Sequence, residues 1–146
     1  VQAVVEWDPD GTGPRTPLFV FGGDFTFAGT VAANHLAAFD PATGEWSTFG
    51  AGTDSTVHAL LAMPDGSLYV GGQFQVADGV FAAAVARWNG SSFEPLGRGL
   101  TVSGLPFYFG AVAHTLAALP NGDVLIGGSF EFADDVRAAC ITRWDG

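Results

Sequence analysis

"LYVGGQF" (residues 68–74) is a short apolar strand that runs into two glycines and then a phenylalanine. The same device occurs as "FVFGGDF" (19–25) and "LIGGSF" (125–130). A stretch written three times is architecture before it is chemistry. Aligning on Gly22-Gly23, Gly71-Gly72 and Gly127-Gly128 puts Phe25, Phe74 and Phe130 in register, then Ala28, Ala77 and Ala133. Phe39, Trp88 and Trp144 follow at a constant distance. The register defines an internal repeat.

Each copy has a shared strand upstream of the glycines: "VQAVVEW", "VHALLAM" or "AHTLAAL". Between the two strands lies a turn, "DPDGTGPRTP", "PDGS" or "PNGD". Asp-Gly and Asn-Gly adopt positive φ at little cost and mark hairpins. Downstream come "NHLAAFD", "AAVARWN" or "ACITRWD", and then "EWSTFG" or "SFEPLG". A full unit is therefore four strands, A to D. The chain holds two full units and a third without strand D. Alanine-rich "VFAAAVARW" has helical propensity, but its counterparts carry β-branched and aromatic residues, and the repeat outweighs the propensity.

The expected fold is all-β: about three blades of four antiparallel strands in a β-propeller arrangement. We read residues 1–146 as one partial propeller domain, with repeats at 1–56, 57–112 and 113–146. Propellers close with roughly four to eight blades. The expectation is thus a portion of a larger ring, or a ring completed by a second copy. The absence of a starting Met and the strand at residue 1 are read as signs of a processed or excised piece.

"LYVGGQF…VARWNGSSFEPLG" resembles a Kelch-type blade, as does "FVFGGDF…LAAFDPATGEW". The chain is also similar to the "GGxF…ARWDG…LG" repeats of large bacterial secreted and surface proteins. It departs from eukaryotic Kelch in its constant Phe after Gly-Gly and in "RWDG". Eukaryotic Kelch partners therefore do not carry over. What the resemblance implies is an extracellular or cell-surface location. In Kelch-like blades strand A is innermost, which implies a channel-lining place for its side chains.

Composition narrows the function classes. The formal net charge is −10, and the basic side chains are five Arg with no Lys. Such a surface repels nucleic acid and anionic membranes. No apolar run reaches the ~18–20 residues of a helical membrane span. Cys140 is alone, so no intrachain disulfide forms, and a free Cys is expected to be buried. The glycine pairs are expected to let another backbone or ring approach, to permit a bulge or unusual φ, and to turn each Phe inward near the ring fourteen residues on. They are not a phosphate loop, because no helix follows them.

Candidate chemistry is sparse. His58 and His114 share one strand A position, with Gln2 as counterpart, and form a candidate transition-metal site. Asp8, Asp10 and Thr12 alternate as in half of a calcium loop, without the closing acid. Asp134 and Asp135 form a carboxylate pair, better read as a solvated turn. His35 stands alone. An insertion, "RGLTVSGLPFYFGA", carries Leu105, Phe107, Tyr108 and Phe109, the preferred partner-binding loop. No nucleophile–base pattern is present.

These readings point to a non-enzymatic interaction module of a secreted or surface protein, without a required cofactor. Its expected partner is itself, the remainder of a longer propeller chain, another protein or a glycan. The alternative is a carbohydrate-binding or hydrolytic propeller with its site at the channel mouth.

Overall fold

The computed structural model describes residues 1–103 and 110–146. It is all-β among these residues. The first repeat forms β1 (Ala3–Trp7), β2 (Leu18–Gly22), a miniature hairpin of β3 (Phe27–Ala28) and β4 (Val31–Ala32), then β5 (Leu36–Asp40) and β6 (Glu45–Thr48). The second forms β7 (Val57–Ala62), β8 (Leu68–Gly72), the hairpin β9 (Val76–Ala77) and β10 (Val80–Phe81), then β11 (Val85–Trp88) and β12 (Phe93–Pro95). After the connecting strand β13 (Leu100–Thr101) come β14 (Val112–Ala118), β15 (Val124–Ser129), the hairpin β16 (Phe132–Ala133) and β17 (Val136–Arg137), and β18 (Ile141–Trp144).

The large sheets have the strand orders β1-β2-β5-β6, β7-β8-β11-β12 and β14-β15-β18, all antiparallel. These are propeller blades in strand order A-B-C-D, the third with three strands. The A strands of neighbouring blades, β1, β7 and β14, lie side by side. The miniature hairpins had not been foreseen: two-residue strands carry no readable period.

Alternation along the strands sends side chains to opposite neighbours. Val20, Leu36 and Ala38 of the first blade meet Val57, Leu68, Val70 and Trp88 of the second in one buried cluster. Tyr69 and Val85 of the second blade meet Ala113, Val124 and Ile126 of the third in another. A run of rings crosses the first interface. Trp7 and Phe49 have centroids 5.4 Å apart, Phe49 and Trp88 5.4 Å, and Trp88 and Phe93 4.9 Å. Phe74 and Phe130 are buried as expected. The rings paired with Trp88 are Phe49 and Phe93, brought in by strand D and its connector.

The glycine pairs have a double explanation. In the first two pairs the first glycine makes room for the next blade. A Cβ at Gly22 would collide with Val57 Cγ1, and one at Gly71 would stand 3.0 Å from Ala113 Cβ. The second makes room for the blade's own strand A. A Cβ at Gly72 or Gly128 would strike the carbonyl oxygen of Thr56 or Val112. None of the six has positive φ, so space alone selects glycine here, not an unusual φ. The bulge lies on the partner strand instead, where register shifts between Val57 and Ala59 and between Ala113 and Thr115.

The left-handed conformation falls elsewhere. His35, Ala84 and Cys140 open strand C in register, with φ of 64°, 67° and 75°. Their amides donate to the Phe25, Phe74 and Phe130 carbonyls at 2.8, 2.9 and 3.0 Å. Their carbonyls accept from Gly23, Gly72 and Gly128 at 3.0, 2.9 and 2.9 Å. One non-glycine residue thus pins the Gly-Gly-x-Phe loop in each copy. Cys140 is exposed, against the expectation of burial. Its counterpart Ala84 is covered by the third blade.

Candidate functional site

Three features combine residues from different blades: an axial polar row, a set of latches and two open faces. The row comes from the bulges. His58 and His114 are the extra residues inserted opposite the glycine pairs. A bulge re-aims its side chain, and here it brings the imidazoles together, with centroids 5.4 Å apart and planes at 54°. His58 Nδ1 is hydrogen-bonded to Gln2 Oε1, and His114 Nε2 lies 3.2 Å from Ser129 Oγ. Gln2, His58 and His114, one from each repeat, therefore form a continuous line across three A strands. Partial burial, then the neighbouring His114, lowers the His58 pKa below its ordinary 6.5. The neutral imidazole is the favoured form.

The latches tie each connector to the following blade. The motifs "FGAGT" (49–53) and "LGRGL" (96–100) lead out of strand D. The Ala51 amide donates to Asp78 Oδ1 at 2.7 Å, and the Asp78 amide donates to the Gly52 carbonyl at 2.8 Å. In the next copy the Arg98 amide donates to Asp134 Oδ1, and the Asp134 amide to the Gly99 carbonyl at 3.0 Å. Asp78 and Asp134 occupy the left-handed turn of the miniature hairpins, at φ 47° and 53°. A side chain at Gly50 or Gly97 would run into these carboxylates. β13 then adds to β16-β17 as a third strand.

The "FADD" pair is accounted for by this contact. Asp134 holds the Arg98 amide, while Asp135 takes the Arg98 guanidinium through both oxygens, at 2.8 and 2.7 Å. The two carboxylates serve docking of the preceding connector. Sequence reasoning missed Asp78 and the Gly-x-Gly connectors. Their signal was present in the shared register of Asp78 and Asp134, but the partner lies 27 residues away in chain order.

Asp8, Asp10 and Thr12 lie in the turn between β1 and β2. Asp8 Oδ1 accepts from the Asp10 amide and Asp10 Oδ2 from the Arg15 amide, both at 3.3 Å. The Asp10 side chain raises the Asp8 carboxyl above its ordinary value. The turn backs onto its counterpart in the second blade: a Cβ at Gly11 would stand 2.6 Å from the Pro64 carbonyl oxygen. Among the described residues, no group of three or more His, Cys, Asp or Glu side chains is placed to hold a metal ion. His35 Nδ1 lies 3.2 Å from the Gly23 carbonyl oxygen and 3.7 Å from Asp24 Oδ1. Leu105, Phe107, Tyr108 and Phe109 lie outside the described residues.

The open faces complete the description. Phe19 is 38% exposed, whereas its register counterparts Leu68 and Val124 are fully buried against a preceding blade. Ile141 is 69% exposed, whereas Leu36 and Val85 are buried against a following one. On the first blade Phe21, Phe25, Phe27, Ala28 and Trp46 line an apolar groove. Trp46 folds over it, 5.3 Å from Phe21 and 5.1 Å from Phe39 between ring centres.

Recurring blades, strand-D connectors and close-packed glycine pairs define a β-propeller-type repeat. Residues 64–91, which include the A–B turn, β8, the β9-β10 hairpin and β11 of the second blade, match the family model described as "Domain of unknown function (DUF5122) beta-propeller". Neither the curated proteins nor the solved structures contain a match to the chain.

Proposed function

We propose that the chain is a non-enzymatic assembly module of Kelch-like blades that docks head to tail with a further blade of its own type. The observation that carries this reading is the pair of faces represented by Phe19 and Ile141. Each is in register with residues that are buried at the two interfaces inside the chain. The faces are the two halves of one repeating contact. A heterologous contact of this kind closes into a ring when the rotation allows. Among the described residues β18 pairs only with β15, and its other edge adds a second attraction, since an exposed strand edge recruits a strand. A groove beside it is lined by Val85, Leu96, Leu100, Ile126 and Trp144, and Trp144 stands at the register of Trp88, which strand D of the second blade covers with Phe93.

The incoming blade comes from a second copy or from a longer propeller chain. The setting this reading favours is a secreted or surface protein, on the strength of the "GGxF…ARWDG" resemblance and the acidic, lysine-free composition. Native mass spectrometry and light scattering over a concentration series test it. A dimer, or a ladder of sizes, that collapses to monomer in Phe19→Glu and in Ile141→Glu is the expected result. A well-folded monomer at all concentrations that binds no hydrophobic dye overturns the proposal.

A further inference from the structure

The row of imidazoles on the A strands offers chemistry that blade assembly does not need. We propose that His58 and His114 together bind a divalent transition-metal ion of the zinc, copper and nickel class, using Nε2 of His58 and Nδ1 of His114.

The argument begins with geometry. A tetrahedral metal sits about 2.0–2.1 Å from each imidazole nitrogen. With both rings directed at the ion, this places the two ring centres roughly 5 Å apart. His58 and His114 stand at 5.4 Å with planes inclined at 54°. Both residues are bulge insertions, and the same irregularity occurs in both blades at the same register.

The second part is tautomer control. Gln2 Oε1 is hydrogen-bonded to His58 Nδ1, and as an acceptor it places the proton on that nitrogen. The lone pair then sits on Nε2. At His114 Nε2 lies 3.2 Å from the Ser129 hydroxyl, which as an acceptor matches the tautomer protonated on Nε2, the one in which Nδ1 is the ligand nitrogen. Orienting a ligand imidazole through its other nitrogen is the usual outer support of a protein metal site. The third part is charge state. The ligating form is the neutral imidazole. The chain's formal charge of −10 draws cations toward the surface.

No third His, Cys, Asp or Glu among the described residues joins the pair. The protein therefore supplies two ligands, and the remaining positions are left for water or an external donor. The site is independent of the docking reading, since neither His lies on the Phe19 or the Ile141 face.

Isothermal titration of the whole chain with Zn²⁺, and separately with Ni²⁺, tests the site. The expected result is one ion per chain. Affinity falls roughly tenfold or more in both His58→Gln and His114→Gln, and in Gln2→Ala to a lesser degree. Imidazole nitrogen NMR shows the metal-induced shift at Nε2 of His58 and Nδ1 of His114. Near-UV circular dichroism checks that each variant keeps its packing. If a variant loses it, the nitrogen shifts in the unaltered chain decide. Absence of binding, binding unchanged in either His variant, or a shift at His35 alone overturns the proposal.

Discussion

The Asp78 carboxylate accepts a hydrogen bond from the Ala51 amide at 2.7 Å, joining the turn of one blade's miniature hairpin to the connector leaving the blade before it. A carboxylate on a backbone amide is among the stronger hydrogen bonds in a protein. Asp78 also adopts positive φ, where Asn and Asp are tolerated and Ala is strained. Asp78→Ala should therefore destabilise the chain by about 1.5–3 kcal/mol, through the lost charge-assisted bond and the left-handed backbone together. Asp78→Asn keeps an acceptor and the backbone preference and should cost less than half of that. Urea midpoints of both variants check the order, and equal losses would remove the latch from the account of blade docking.

The glycine pairs predict a ranking. Gly72→Ala and Gly128→Ala push a methyl into a backbone carbonyl that cannot turn aside. Gly71→Ala meets the Ala113 methyl at 3.0 Å across a blade interface. Gly127→Ala meets only Thr115 Cγ2, a side-chain atom, at 2.8 Å. Overpacking of this sort costs about 1–3 kcal/mol, with backbone clashes at or above the top of that range. The expected order of thermal stability is Gly127→Ala above Gly71→Ala above Gly72→Ala, read from melting curves. A Gly72→Ala variant as stable as the unaltered chain would contradict the close approach of strand A.

How far such relationships were legible beforehand depends on their range. The blade order was readable because Gly22, Gly71 and Gly127 repeat with the aromatic residues behind them, and local spacing carries that. The latch was not readable, because Ala51 meets Asp78 only once two blades have docked. The bulges at His58 and His114 were invisible for a similar reason. An extra residue is defined only against its partner strand. Cys140 was misjudged because its burial is decided by a neighbouring blade, not by its own chemistry.

Phe19 and Leu68 share a register position but should respond differently to truncation. Leu68 is fully buried in the first inter-blade core, so Leu68→Ala should cost about 2–5 kcal/mol. Phe19 is part-exposed, so Phe19→Ala should change the stability of the dissociated chain little while weakening association. Chemical denaturation at low protein concentration, set beside light scattering at high concentration, separates the effects. Loss of stability without loss of association would place Phe19 in the chain's own core instead of at a docking face.

The His58 imidazole sets a pH dependence whose sign follows from its lowered pKa. Below the unfolded value of 6.5 the unfolded chain takes up a proton that the folded chain resists. Stability is thus full above that pH and declines as the pH falls through 6.5 toward the folded value. Asp65 behaves likewise at lower pH. Its carboxyl is held below 3.8, chiefly by the Ser67 hydroxyl and amide and by Arg87, so its contribution is lost as the pH drops beneath that value. His58→Gln should flatten the decline between about pH 7 and 5 and leave the acid limb in place. His114→Gln should flatten it partly, since burial is the larger cause at His58 and the neighbouring ring the smaller. Melting temperatures across the pH range measure both limbs, and an unaltered slope in His58→Gln would assign the decline to other groups.

Cys140 provides a reporter for the docking of a further blade. Its thiol is exposed at the start of β18, while Ala84 at the same register is covered by the blade that follows it. If assembly repeats the internal interface, a blade arriving on the Ile141 face will cover Cys140 as the third blade covers Ala84. Thiol labelling under native conditions should then be rapid in dilute solution and slow as concentration rises. Ile141→Glu should keep it rapid throughout, because an unpaired charge in that contact opposes burial. Rapid labelling at every concentration, in a sample shown by light scattering to be associated, would mean that copies meet through some surface other than the repeating blade face.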